Sequence, residues 1–284
     1  DFSETISAAY LMGNVKLREL SVLAGLRMED TSTAGNGPLY LLTAAERARR
    51  AAWVGPVTNA EAERRALEEW GRRTHAAGDY RNVFPAVHLT YALRSGLVAR
   101  LSYSTSIGRP PVTSLIPNTT VSDDNQTVAA ANTALKPQFS DNIDFNLEYY
   151  FKSIGSVSVS AFQKDVEGFI YSSNQIYIPV GPDNGFDGLY EGYRLTTSLN
   201  GGHARYRGIE FSYSQQFTFL PGFWRGFGVN LNYTRLETKG DYGGTVATTK
   251  VPGFRPRSAN AVLNYQKGRY RGSLQANWID AYLL

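Results

Sequence analysis

The amino-acid sequence predicts an all-β fold, in which antiparallel strands form part of a transmembrane β-barrel with long external loops and one helical insert. Three observations predict it. Side chains alternate between apolar and polar with a period of two, short and long connections alternate along the chain, and aromatic residues concentrate at strand ends. The composition agrees, because 18 Tyr, 14 Phe and 27 Gly among 284 residues favour strands and turns over helices.

About ten strands are predicted from the alternation. It is clearest from Ile143 to Lys152, where odd-numbered apolar residues lie on one face and even-numbered polar residues on the other. A slip of one residue would turn Asp144, Glu148 and Lys152 towards lipid, which costs about 2–4 kcal/mol for a Lys at the bilayer midplane. The ten predicted ranges are 4–17, 20–32, 80–94, 97–111, 139–152, 156–172, 204–219, 227–240, 254–267 and 269–282.

The connections between these strands alternate strictly in length. Short links are predicted at 18–19, 94–96, 153–155, 221–222 and 267–268, and long links at 33–79, 112–138, 173–203 and 241–253. A soluble sandwich has no reason to keep its long loops at one end. A barrel in an outer membrane does, since its periplasmic turns are short and its external loops long.

One segment, residues 43–75, has a helical pattern instead. Thr58 or Asn59 is placed to cap a helix that carries the ion pairs Glu61–Arg65, Glu68–Arg72 and Glu69–Arg73 at i,i+4 spacing. One interpretation is a ligand-contacting element on an external loop, with Trp53 and Trp70 as stacking groups. The other, which is favoured, is a solvated surface helix.

Several classes of function are excluded by composition. The chain has no Cys, which excludes disulfide frameworks, zinc ribbons and thiol catalysis, and its three His are too few and scattered for a His-based metal site. It contains no recognisable catalytic motif. The net charge of +4 is too small for a dedicated nucleic-acid binder. We therefore expect a protein that is not an enzyme, binds no nucleic acid and needs no cofactor or metal.

An ordered series of short segments goes beyond composition. The segments are 81–91 (RNVFPAVHLTY), 101–110 (LSYSTSIGRP), 132–142 (NTALKPQFSDN), 148–151 (EYYF), 161–166 (AFQKDV) and 207–210 (RGIE). Each alone is weak, but in this order, across about residues 80–215, the series resembles the barrel of TonB-dependent outer-membrane receptors.

The resemblance implies a fold and a function for residues 1–284. It implies about ten strands of a 22-stranded barrel, with residues 43–75 as a helical insert in an external loop. A signal peptide, a TonB box and a globular plug are expected outside this chain, which we interpret as a fragment. The implied function is active import of a scarce nutrient, such as a saccharide, siderophore or vitamin, across the cell outer membrane. The implied partners are outer-membrane lipid, the nutrient, and the TonB energy-transducing complex acting through the missing plug.

Candidate residues follow from this interpretation. Aromatic residues interleaved with hydrogen-bonding groups suit polar organic ligands, so Trp53, Tyr177, Tyr190 and Tyr193 are the candidates for ligand capture. The other explanation is a loop that packs on its own aromatic rings. Arg100, Glu148 and Glu210 lie on polar strand faces and are the candidates to line the lumen or contact the plug; ordinary lumen-filling polar residues are the simpler explanation for each.

Three alternatives stay open at this point. A passive pore or adhesin-type barrel without a plug has the same strand pattern. An outer-membrane hydrolase on a ten-stranded barrel would need a nucleophile and its partners at the rim. A soluble lectin-like sandwich would bury its apolar face in a dry core and be extracted without detergent.

Overall fold

The structure, a computed structural model, describes residues 1–241, 251 and 253–282. Ten strands form one antiparallel sheet in the order β1-β2-β3-β4-β7-β8-β11-β12-β13-β14. They are β1 (Phe2–Leu17), β2 (Leu20–Leu39), β3 (Arg72–Arg94), β4 (Leu97–Gly108), β7 (Gln138–Tyr150), β8 (Gly155–Glu167), β11 (His203–Gln216), β12 (Phe227–Asp241), β13 (Arg257–Lys267) and β14 (Tyr270–Ile279). All ten predicted strands are thereby confirmed, with shifts at their ends.

The largest shift concerns β2 and β3. They pair without interruption from Leu20 opposite Tyr91 to Leu39 opposite Arg72, so the predicted loop 33–79 is much shorter. At about 3.4 Å per residue, a strand of this length is longer than an apolar band about 25 Å tall requires. Strands β2 and β3 therefore extend well beyond a band of that height.

The connections confirm the predicted alternation at most positions. The predicted short link at 221–222 is longer, since residues 217–226 separate β11 from β12, and the predicted long link 241–253 lies largely outside the described residues. Tight links join β1 to β2, β3 to β4, β7 to β8 and β13 to β14, whereas β2–β3, β4–β7 and β8–β11 are joined by long segments. Gly96 shows why one tight turn needs glycine. Its φ is +77°, and a Cβ there would lie 2.6 Å from the carbonyl oxygen of Tyr150.

A second, four-stranded sheet lies within the long segments and was not predicted. It consists of β5 (Thr119–Ser122), β6 (Thr127–Ala130), β9 (Ile170–Tyr177) and β10 (Arg194–Asn200), in the order β5-β6-β10-β9. Strand β10 pairs antiparallel with β9 and parallel with β6. The predicted strand 156–172 is wrong at its end, because the chain turns at Gly168, whose φ is +64°, and enters β9.

The helices are α1 (Ala44–Ala51), α2 (Asn59–Trp70), the short α3 (Val112–Leu115) and a 3-10 turn at Gly222–Gly226. The side chain of Thr58 accepts a hydrogen bond from the backbone N–H of Glu61, which confirms the predicted cap. Helix α2 ends at Trp70, so the helical segment stops before the predicted residue 75. No helix in the described part of the chain has both the length and the apolar character to cross a membrane.

Two of the three predicted helical ion pairs are present. The Glu61–Arg65 pair measures 2.8 Å, and the Glu68–Arg72 pair is looser at 3.6 Å. The third prediction, Glu69–Arg73, is wrong. Glu69 instead binds Arg50 of α1 at 2.9 Å.

The two faces of the main sheet differ as the sequence predicted. The apolar face is the more exposed one, with Phe145 at 43% and Phe211 at 38%. On this face Tyr91, Ala99, Leu147, Val159, Phe211 and Tyr233 stand in register across six strands. Among the described residues, fully buried apolar side chains are few and include no residue of this row. The main sheet therefore has no dry core on its apolar face.

Candidate functional site

One face of the sheet, here called the inner face, carries a continuous polar row. Neighbouring strands place these residues opposite one another in order: Lys16, Ser21, Thr90, Arg100, Asn146, Ser160, Glu210, Thr234 and Ser258. Apolar rows on either side point to the opposite face. The sheet therefore has one polar face and one apolar face.

The three predicted lumen residues lie on this inner face. Arg100 on β4 and Glu148 on β7 form an ion pair, and the hydroxyl of Tyr150 donates a hydrogen bond to the same carboxylate at 2.7 Å. Glu210 on β11 stands opposite Ser160 and Thr234. The structure thus brings Arg100 and Glu148 together and places Glu210 two strands further along.

A second charged group on the inner face was not predicted. The guanidinium of Arg109, just after β4, lies 2.7 Å from Glu29 of β2 and 3.5 Å from Glu4 of β1, and Arg27 also binds Glu29 at 2.7 Å. Arg109 stands in the Arg-Pro end of the segment 101–110, yet its partners Glu29 and Glu4 lie 80 and 105 residues earlier in the chain. Sequence spacing gives no sign of such a contact.

Aromatic residues from two long segments meet at the outer end of the wall. Tyr40, which follows β2, packs on Trp70 of α2 with ring centroids 4.7 Å apart. Tyr190 packs on Tyr193 at 5.6 Å and on Phe186 at 6.0 Å. Burial raises the pKa of the Tyr40 phenol, and the adjacent Tyr190 and Glu69 raise it further. We call Tyr40, Trp70, Phe186, Tyr190 and Tyr193 the outer aromatic cluster.

A third segment joins this cluster through one hydrogen bond. The hydroxyl of Tyr193 donates to a carboxylate oxygen of Asp123 at 3.1 Å, and Asp123 lies between β5 and β6. Burial and this hydrogen bond both raise the pKa of Tyr193. The cluster therefore combines flat rings, phenol hydroxyls and carboxylates, groups that suit a ligand with apolar faces and polar edges.

Two of the four predicted capture residues belong to the cluster. Tyr190 and Tyr193 lie together in it, as described above. Trp53 lies instead in the helical insert, where the guanidiniums of Arg49 and Arg65 each sit 5.6 Å from its ring centroid. Tyr177 ends β9 opposite Arg194 and is 66% exposed. Tyr40 and Asp123 were missed because each comes from a different loop of the sequence.

The helical insert is held by a dense ionic network. Glu46 and Glu61 are buried between α1 and α2, and each accepts hydrogen bonds from Arg64. Arg50 donates to Glu46 and to Glu69, which ties the end of α2 to α1. Hydrogen bonds from Arg64 and Arg50 lower the pKa of Glu46 to about 2. The network fixes Trp70 and Glu69 beside Tyr40.

No group of three or more His, Asp or Glu side chains in the described ranges is arranged to hold a metal ion. The rings, phenol hydroxyls and carboxylates of the outer cluster can stack on a ligand and form hydrogen bonds with it.

Comparisons with known proteins identify relatives of this arrangement. A family model described as "TonB dependent receptor-like, beta-barrel" matches residues 1–282. No curated protein matches the chain.

Solved structures with a similar fold include three outer-membrane receptors. The ferric-catecholate import receptor Fiu from Escherichia coli K12 has a TM-score of 0.63 at 15% identity, over 98% of this chain and 34% of the receptor. The hemophore receptor HasR of Serratia marcescens, in complex with its hemophore HasA and heme, has 0.63 at 13%, over 98% and 44%. The ferric citrate transporter FecA has 0.64 at 13%, over 98% and 32%. The chain thus spans less than half the length of these receptors.

Proposed function

The chain belongs to the family of TonB-dependent receptor-like β-barrels, and we propose that it forms wall and outer loops of an active importer for a scarce nutrient. The family match over residues 1–282 is the observation that carries this proposal. As a barrel of this family, the chain is part of an outer-membrane receptor or transporter. Residues 1–284 then supply ten strands, and a plug lies in another part of the full protein.

The outward apolar face meets lipid in this proposal. Closed barrels span membranes because every strand edge is paired and no backbone group is left unsatisfied in the hydrocarbon. The row that contains Leu147, Phe211 and Tyr233 would contact acyl chains, and the row of Arg100, Asn146 and Glu210 would face a water-containing lumen.

Ligand capture is assigned to the outer aromatic cluster. Rings in fixed orientations bind flat or ring-shaped molecules at low entropic cost, and Asp123, Glu69 and the phenols add hydrogen bonds. A saccharide, a siderophore or a vitamin has both features. The similar structures named above bind ferric catecholate, heme and ferric citrate according to their descriptions, which is consistent with a chelate or macrocycle as ligand. Tyr177 and Trp53 contribute at the edge of this surface.

Passage of the ligand through the lumen of the barrel would depend on partners outside this chain. The inner residues Arg100, Glu148 and Glu210 would contact the plug or line the path that opens when the TonB complex pulls on it. Charged side chains that face a water-filled lumen can exchange protein partners for water at a small free-energy cost, which suits a plug that must move.

The test is energy-dependent uptake by the full-length receptor in cells that lack competing receptors. The probes are labelled ferric catecholate, ferric citrate, heme, cobalamin and a short saccharide. We expect one probe to be accumulated, and a protonophore that collapses the inner-membrane gradient to abolish accumulation. The paired replacement Tyr190→Ala with Tyr193→Ala should weaken binding of that probe by about tenfold or more. The matched control is Tyr270→Ala, an exposed tyrosine (61%) at the opposite end of the sheet.

The alternative function is a passive pore or adhesin-type barrel without a plug. It predicts uptake that persists when the gradient is collapsed, and steady ion conductance of the purified protein in a planar bilayer. Gradient-dependent uptake with a non-conducting resting protein would exclude it.

A further inference from the structure

The outward face of the sheet changes from apolar to charged along β11 and β12. On β11, Arg207 and Arg205 share the face of Ile209 and Phe211. On β12, Arg235 and Glu237 share the face of Tyr233. The charged residues lie on the outer-loop side, where the apolar band ends.

The charges at this boundary are not matched one to one. Both oxygens of Glu237 are engaged by arginines, with Arg207 at 2.8 Å and Arg235 at 3.3 Å. Arg235 also stands directly opposite Arg257 of β13, and like charges in such a position repel. Arg257 has its own carboxylate, Asp280, at 2.7 Å. The trio of Arg207, Arg235 and Glu237 therefore keeps one positive charge in excess.

A groove of about 540 Å³ adjoins this trio on the same face. Its floor and sides include Ile143, Phe145, Ala161 and Ile209, and its charged end is formed by Arg207, Arg235 and Glu237. A ligand of matching chemistry has a long apolar part and an anionic head. Arginine binds phosphate through paired N–H donors, and a net positive charge beside the hydrocarbon region attracts a counter-anion strongly.

We propose that this groove, here called the lipid groove, binds a phosphate-bearing lipid of the outer leaflet. One acyl chain lies along Ile143, Phe145 and Ile209, and the phosphate lies between the guanidiniums of Arg207 and Arg235. Glu237 holds the two guanidiniums near each other without neutralising both. The inference rests on the lipid-facing orientation given under the proposed function and adds a specific headgroup to it.

The experiment measures lipid binding to the full-length receptor in neutral detergent by native mass spectrometry. The probe is lipid A with its phosphate groups, and inorganic phosphate is the competitor. We expect discrete lipid adducts on the wild-type protein. The paired replacement R207Q with R235Q should weaken this binding by more than about tenfold, since each of the two arginines loses a charge-assisted hydrogen bond to the phosphate.

The matched control is R81Q. Arg81 of β3 is also exposed on the outward face, but it is paired one to one with Asp30 at 2.6 Å, so its replacement should leave lipid binding unchanged. A second variant, E237Q, keeps a hydrogen-bond acceptor beside the two guanidiniums and raises the excess positive charge, so it should bind at least as tightly as wild type. Heat-resistant migration of each variant in detergent gels confirms that the barrel is folded.

Equal binding by wild type and the R207Q/R235Q protein would overturn the proposal, as would an equal loss in R81Q. Displacement of the lipid by millimolar inorganic phosphate would also overturn it, since it would show a site for free phosphate rather than for a lipid. The assay involves no transported nutrient, so failure of the import proposal and failure of this one are distinguishable.

Discussion

The Tyr193 hydroxyl donates a hydrogen bond to the Asp123 carboxylate at 3.1 Å, across 70 residues of sequence. This contact joins the segment that carries β5 and β6 to the segment that carries Tyr190 and Tyr193. Strand β10 pairs with β6 and β9 next to it. The outer loops are thus a small folded unit, and the capture surface depends on its order.

Replacement of Tyr193 by Phe should loosen this unit while it keeps the ring. The lost hydrogen bond to a charged group is worth about 1.5 kcal/mol or less at this partly exposed position. We expect backbone amides of residues 119–130 to exchange with deuterium several-fold faster. Tyr177→Phe is the control, since Tyr177 is 66% exposed, and it should leave exchange unchanged. Equal exchange in wild type and Y193F would show that the hydrogen bond does not order the loops.

The ionic network of the helical insert predicts that the stability of the insert decreases at acidic pH. The folded-state pKa of Glu46 is about 2, below the ordinary value of 4.5. Because this pKa is lowered on folding, the ionised carboxylate stabilises the folded insert above pH 4.5. This contribution is lost as the pH falls towards 2. The fluorescence of Trp53 and Trp70 should therefore report loosening in that window.

The variant Glu46→Gln tests the assignment of that titration. It should remove the pH dependence between 4.5 and 2 and leave the insert less ordered at neutral pH. Glu68→Gln is the control, because Glu68 is half exposed and its pair with Arg72 measures 3.6 Å. Loss of the signal near pH 6 would contradict this assignment, since the pKa of Glu46 is lowered and not raised.

Gly208, on the inner face, packs so closely on its neighbours that a larger residue should destabilise the fold. A Cβ on Gly208 would lie 2.6 Å from the ring of Phe162 and 2.7 Å from the carbonyl oxygen of Arg235. Gly208→Ala should destabilise the folded barrel by about 1–3 kcal/mol, as expected for overpacking. Gly78→Ala is the control, because its Cβ would meet only the Thr33 hydroxyl at 3.5 Å. Midpoints of unfolding in urea measure both, and equal midpoints would contradict the packing argument.

The free-energy cost of introducing a charged side chain should differ between adjacent residues of β11. Phe211→Lys places a Lys in the apolar row, at a cost of about 2–4 kcal/mol near the bilayer midplane. Glu210→Lys places the same side chain on the polar face, where the cost is small. We expect the yield of folded full-length receptor in the outer membrane to fall sharply for F211K only.

The sequence was sufficient for the main sheet because its signal is local. Each strand alternates between an apolar and a polar face, and this pattern sets its register without knowledge of its neighbours. The second sheet was missed because β5 and β6 have four residues each, and β6 pairs in parallel with a strand more than 60 residues away. Strands this short leave too few residues for an alternation to be recognised.

The candidate site was predictable only in part, for a similar reason. Tyr190 and Tyr193 were found because they lie in one loop rich in aromatic and polar residues. Tyr40, Asp123 and Arg109 were not, because their partners belong to other segments and only the fold brings them together. Trp53 was selected as a stacking group of the helical insert, whereas the structure places the guanidiniums of Arg49 and Arg65 over its ring.

The orientation of the two faces can be measured directly. The chain contains no Cys, so single cysteines at residues 209–212 of the full-length receptor can each carry a nitroxide label in a lipid bilayer. We expect labels at Ile209 and Phe211 to be relaxed mainly by oxygen, which concentrates in the hydrocarbon. Labels at Glu210 and Ser212 should be relaxed mainly by a water-soluble nickel complex. The reverse order, or no alternation along these four positions, would contradict the account.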